Sequence, residues 1–186
     1  MANSTANVQI GKPKVGGGVW VGSTSATLPT DATTAISTTD FKCVGYCSED
    51  GVTNGKSKTT NDIKAWGGDT VASPTTDKKD TFKWKMIEGS NIDVLKVVHG
   101  DTNVSGTLSD GITVTENAKN PGRKAFVVDM QVADNVMKRV VIPCGEVTAI
   151  DDVVYKDGEP VGYGVTVTAF PDASGNTHYE YIKQTA

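Results

Sequence analysis

Residues 81–100 read TFKWKMIEGSNIDVLKVVHG, and the rest of the chain is organised around this stretch. Its first residues alternate, with Phe82, Trp84 and Met86 on one face and Lys83 and Lys85 on the other. That is the period of a half-buried β-strand. The period changes at Gly89. Ser90 is placed to cap a helix, and Asp93 follows at the third position as a weak capping box. Ile92, Val94, Leu95 and Val98 recur at helical spacing, and Gly100 is the residue best able to take a left-handed C′ conformation. A strand therefore feeds a helix over about residues 90–99. So short a helix is marginal alone in water and must dock. Phe82, Trp84, Met86, Ile92, Leu95 and Val98 are the predicted docking core.

At 186 residues and 19.5 kDa the chain is long enough for one domain with a sizeable core. A net charge of −4 and a pI near 5.1 argue against binding nucleic acid through the whole surface, which requires clustered Lys and Arg. The 20 glycines, with abundant Thr and Val, point to a β protein with many turns. An aromatic content of 6% is low for a carbohydrate-binding sandwich. No stretch approaches the roughly 20 apolar residues of a membrane helix, and the N-terminus lacks a signal-peptide core. The expectation is a cytoplasmic product.

Outward from the central stretch, residues 1–40 read as a polar N-terminal arm with a first short strand at Val19-Trp20-Val21 and a few other apolar anchors. Gly16-Gly17-Gly18 is no phosphate loop, since no GK[ST] follows; it reads as a flexible lead. Residues 41–47 alternate as a strand and end in the acidic turn Ser48-Glu49-Asp50-Gly51. Residues 51–80 read as a long polar loop with one apolar island, Ile63-Lys64-Ala65-Trp66-Gly67-Gly68. A structureless loop this long is uncommon unless it has a task. Trp66 is either tucked onto its own domain or inserted into a neighbour.

Beyond the helix, 101–109 is polar and 111–116 is a short strand. Residues 123–131 and 136–143 form a hairpin around Ala133-Asp134-Asn135. Segments 146–155 and 161–170 flank a second turn at Asp157-Gly158, and 178–182 is the last strand. The fold class is mainly β: a β-sandwich or partly open barrel of about eight strands, with one short flanking helix, a long loop and an arm. The domain boundaries fall at 1–40 for the arm and 41–186 for the β domain.

Chemistry is hard to find. His99 sits where it complements a helix dipole, and His178 follows a turn. No G-x-S-x-G elbow and no His-x-x-x-His pair occurs. Glu49-Asp50 and Asp151-Asp152 lie outside any Asp-x-Asp-x-Asp-Gly loop. Cys43 and Cys47 would stand about 13 Å apart on a strand, too far for a disulfide. With Cys144 they have no Cys-x2-Cys partner for a metal. No catalytic residue, cofactor or metal site is predicted, which leaves assembly or binding.

Three runs then carry a resemblance: Val44-Gly45-Tyr46-Cys47-Ser48-Glu49-Asp50-Gly51, Asp62-Ile63-Lys64-Ala65-Trp66-Gly67-Gly68-Asp69, and Thr81-Phe82-Lys83 through Met86-Ile87-Glu88 and Val94-Leu95-Lys96 to Gly100. In this order, and continuing to Val167-Thr168-Ala169-Phe170-Pro171-Asp172, the sequence resembles the major tail tube protein of long, non-contractile-tailed bacteriophages. The similarity covers most of residues 15–172; residues 55–60 and the arm match no motif of it. It implies subunits that form hexameric rings whose inner sheets join into a barrel, rings that stack into a tube, and a lumen for DNA ejection. The implied partners are the protein itself, the tape measure protein, and the tail terminator and distal tail proteins. DNA would pass without specific binding, and no membrane is involved. The location would be the virion tail, assembled in the host cytoplasm.

On that reading Trp20, Ile63, Trp66, Gly67, Gly68 and Asp69 are subunit-interface candidates, in an assembly loop at 51–80. Glu49 and Asp50 are candidates to face the lumen. Lys83 and Lys85 would attract DNA on a channel wall, so they are expected outside it or paired with acids. An acidic surface suits a conduit, because like charge repels phosphates. The alternative is a β-sandwich decoration or adhesion module of a virion.

Overall fold

A computed structural model describes residues 3–185; the first two residues of the predicted arm and the last of the predicted β domain lie outside them. The fold is mainly β with one α-helix. The elements begin with β1 (Lys12–Pro13), β2 (Val19–Gly22), β3 (Phe41–Cys43), β4 (Thr53–Thr60), β5 (Ile63–Lys64), β6 (Thr70–Ala72) and β7 (Thr75–Met86). Helix α1 (Ile92–His99) follows, then β8 (Val104–Thr107), β9 (Gly111–Val114), β10 (Arg123–Ala133), β11 (Val136–Ile150), β12 (Tyr163–Ala169) and β13 (Tyr179–Gln184). Nine strands form one sheet in the order β3-β2-β10-β11-β12-β7-β4, with β1 beside β10 and β13 beside β11.

The sheet bends at β11. One edge of β11 pairs with β10, while the other takes β13 over its first half and β12 over its second. Pro143, which has no N–H for a ladder, sits in a bulge between the pairs Phe126–Ile142 and Lys124–Gly145. A Cβ on Gly145 would lie 2.7 Å from Val167 Cγ1 and 2.9 Å from Phe126 Cδ2. The bend therefore requires a residue without a Cβ at position 145. The sequence reading places two strands at 136–143 and 146–155; the bulge tolerates Pro143 and joins them into one that stops at Ile150.

Bending curls the sheet around a core. Trp84 on β7 and Phe126 on β10 are three strands apart in the sheet order, about 14 Å if it were flat. Their rings meet edge to face at 5.5 Å. Phe82, Trp84 and Met86 of β7, Val19 and Val21 of β2, and Val165 and Val167 of β12 share this core. The chain also spans the seam of the curl. After Cys43 it leaves β2, turns at Gly45 with φ 76°, and bridges to β7 through Cys47 and Met86. Ser48 N–H donates to Lys85 O and Ile87 N–H to Tyr46 O. The result is a partly open barrel, and the strand expected over 41–47 is cut to β3 by this crossing.

Helix α1 docks through Val94, Val97 and Val98. Leu95 is also buried, but Ile92 is only half-buried, because the helical stripe that meets the sheet begins at Val94. The cap is Asn91 rather than Ser90: Asn91 has extended backbone and its side chain accepts from Asp93 N–H at 3.0 Å. Gly100 takes a positive φ of 92°, but its ψ of 151° is extended rather than left-handed helical.

The opposite face of β10 and β11 carries a second core of Phe41, Ala125, Val127 and Val141. Ala26, Leu28 and Ile36 cover it, together with Trp20 and the stacked rings of Tyr179 and Tyr181. Residues 23–40 thus lie on the sheet and are not a free arm. Arg139 pins them there. Fully buried, it donates to Asp129 through Nε at 3.2 Å and Nη2 at 2.8 Å, and through Nη1 to the carbonyls of Asp31 and Thr34. Lys14 reaches the same carboxylate at 3.2 Å. Removing one partner of such a pair strands a buried charge, at a cost of about 3–5 kcal/mol. Arg139→Ala should lower the urea midpoint by that equivalent, and Arg139→Met with Asp129→Leu should recover most of it; a single variant as stable as the double would contradict this account.

Candidate functional site

Residues 51–80 are not a loop. Strand β4 pairs antiparallel with β7 from Thr53 opposite Lys83 to Thr60 opposite Thr75. At its far end β5 and β6 form a small hairpin. Every residue from 53 to 79 is exposed, so this two-stranded ribbon leaves the body with neither face covered. Lone two-stranded ribbons are marginal in water. The tip is built by a turn in which Ala65 N–H donates to Asp69 O at 2.8 Å and Gly68 N–H to Ala65 O at 3.0 Å. Gly67 and Gly68 take φ of 118° and 101°, which other residues rarely adopt. Trp66 stands at the apex with 106% exposure, flanked by exposed Ile63 and Val71.

The ribbon is anchored where it enters the body. Asp80 is 3% exposed. Its carboxylate accepts from Asn54 Nδ2 at 2.7 Å and Thr177 Oγ1 at 2.7 Å, and lies 2.6 Å from His178 Nδ1. His178 packs edge-on against Phe82 with ring centroids 5.3 Å apart. Strands β4 and β7 and the approach to β13 are thereby tied at one point.

The predicted interface residues separate into two places. Ile63, Trp66, Gly67, Gly68 and Asp69 gather at the ribbon tip, and Trp66 is outside its own core. Trp20 is elsewhere: half-buried in the second core, its indole N–H donating to Gly17 O at 3.1 Å. Glu49 and Asp50 are exposed in the turn after β3. Lys83 pairs with Asp151 at 3.1 Å. His99 lies 2.6 Å from Glu116. Burial pushes the Cys47 thiol up to about 11, with Cys43 and Glu88 adding to the shift, so it is protonated at neutral pH. Among the described residues no three His, Cys, Asp or Glu side chains cluster as metal ligands, and no helix is long and apolar enough to cross a membrane.

The sequence profile described as phage tail tube protein matches residues 2–186. The chain belongs to the phage tail tube protein family. It is a structural protein of the virion tail, and membership of a structural family implies assembly with itself and other tail proteins rather than catalysis. No curated protein matches the chain. Among solved structures, the tube terminating cap of the anti-feeding prophage, determined by cryo-EM, aligns over 100% of both chains with 8% identity and a TM-score of 0.41.

Sequence reasoning missed the anchor of Asn54, Asp80, Thr177 and His178 in this tail tube family member. The available signal was the Gly67-Gly68 turn flanked by Thr-rich segments of similar length, which marks a hairpin whose two ends must meet. Burial of Asp80 pushes its carboxyl up, but hydrogen bonds from Thr177, Asn54 and His178 outweigh this and hold it below the usual range. A carboxyl depressed in the fold contributes stability that is present above its unfolded value and lost as pH falls through the folded one. Asp80→Asn should therefore cost about 1–3 kcal/mol at pH 7, and the gap to wild type should narrow below about pH 4. Urea titrations of both proteins from pH 7 to pH 3 would show it; a constant gap would remove Asp80 from the acid response.

Proposed function

We propose that the chain assembles into hexameric rings that stack into the tail tube, the conduit for DNA ejection. The observation that carries this reading is the ribbon: an uncovered two-stranded extension ending in a fully exposed Trp66 has no packing purpose within its own chain. Isolated anchors of this kind suit heterologous contacts that propagate along an axis. The outer edges of β3 and β4 have no further partner strand among the described residues. Such edges are an aggregation hazard in a monomer and natural joints in a ring.

The charge distribution supports passage of DNA without binding. The net charge is −4, and Lys83 is paired with Asp151, which lowers its attraction for phosphate. Partners on this reading are the tape measure protein, which would occupy the lumen before DNA, and the tail terminator and distal tail proteins. Assembly would take place in the host cytoplasm. A decoration or adhesion module would present a platform of several rings, whereas Trp66 is the single aromatic residue between 53 and 79.

Negative-stain microscopy of concentrated protein should show rings or tubes with a channel of DNA width; strictly monomeric particles at every concentration would count against the proposal. Trp66→Ala should raise the concentration needed for assembly about tenfold, as loss of an interface anchor does. Folding stability should stay within about 0.5 kcal/mol of wild type. Equal losses in both measurements would return Trp66 to a role within its own subunit.

A further inference from the structure

The seam of the barrel does not close completely. Between residues 11–19 and 43–52 lies a groove of about 760 Å³, within the usual range for a binding cleft. Its floor reaches the main core: buried Val19 and Val128 line it, with the partly buried Met130, Cys47 and Val52 that pack against that core. Its rim carries Val15, 97% exposed, and Tyr46, 76% exposed. Gly16-Gly17-Gly18 forms part of the wall, and beside Gly16 the space is open. Glu49 and Glu88 line the groove; the Glu88 carboxylate accepts from Tyr46 N–H and from Asn91 Nδ2, each at 2.9 Å.

We infer that this groove is the receptor for the ribbon tip of a second copy, with Trp66 as the inserted side chain. The inference rests on the assembly reading above and adds the receiving surface. Three observations carry it. Trp66 is fully exposed at the ribbon tip, the groove is lined by apolar side chains, and Trp66 does not occupy its own groove. The ribbon is long enough: at ~3.3 Å per residue, Trp66 lies about 33 Å beyond its anchor, twice the ~16 Å radius of gyration expected for such a chain. A tip at that distance meets a neighbouring body. Finally, Lys64 stands beside Trp66 and would approach the carboxylates of Glu49 and Glu88. A protrusion and a groove at different places on one chain make a head-to-tail contact, which repeats without limit.

The test uses the full chain with p-benzoylphenylalanine in place of Trp66, another bulky aromatic at a fully exposed position that leaves the fold undisturbed. Irradiation of the assembled protein should give covalent dimers, and mass spectrometry should place the cross-link at Met130, Val52 or residues 15–19. Tyr46→Ala on the rim should reduce dimer yield about fivefold or more, with monomer stability unchanged. Tubes that form normally but cross-link at another surface, or only within one chain, overturn the receptor assignment and leave the assembly reading standing. Failure of the unsubstituted protein to assemble under any condition overturns both.

Discussion

The buried pair of Arg139 and Asp129 holds this fold together in a way that no single apolar contact does. The two residues face each other across β10 and β11, so their bond spans the hairpin to which β1, β2, β12 and β13 pair directly. Arg139 uses its remaining donors on Asp31 and Thr34, and Asp129 accepts from Lys14. Segments from three parts of the chain therefore converge on one desolvated site. A pair this deep does not have to add net stability over a hydrophobic replacement. What it adds is uniqueness: residues 23–40 are polar and small, and without an obligatory partner for the guanidinium they could lie on the sheet in many ways.

The same two strands set the shape of everything outside them. Because β11 carries a bulge at Pro143 and a glycine at 145, the sheet turns sharply and brings β7 over β10. The curl leaves a seam, and residues 43–48 cross it without filling it. The groove and the uncovered ribbon both follow from that geometry. The groove is the unfilled part of the seam. The ribbon is the continuation of β4 and β7 past the point where the body stops, fixed in direction by Asp80 and its three partners.

What could be read from the sequence follows from burial. Phe82, Trp84 and Met86 alternate because one face of β7 is inside and the other outside, and that alone locates the core strand. Helix α1 is legible as an element, although its docking stripe runs through Val94, Val97 and Val98 instead of Ile92. The ribbon was illegible as strands for the opposite reason. With neither face buried, Thr, Lys, Ser and Gly carry no hydrophobic alternation, and only its glycine turn and isolated Trp66 betray it. The 136–150 strand was divided by Pro143, which signals an end unless a bulge is known to receive it. Asp129 and Arg139 each interrupt an apolar strand, but nothing in their spacing says that they meet.

The division between a packed body and an uncovered ribbon has an energetic consequence for assembly. Elements with few buried contacts open at low free energy, so the ribbon is the least protected part of the subunit before it meets a neighbour. Ordering it on contact would consume part of the binding energy. Two features limit that loss. The positive φ values of Gly67 and Gly68 preform the tip turn, and the Asp80 anchor removes freedom at the base. Between them only the middle of β4 and β7 remains to be ordered, and it is already paired. On the assembly proposed above, a ribbon built this way would meet a neighbour without refolding.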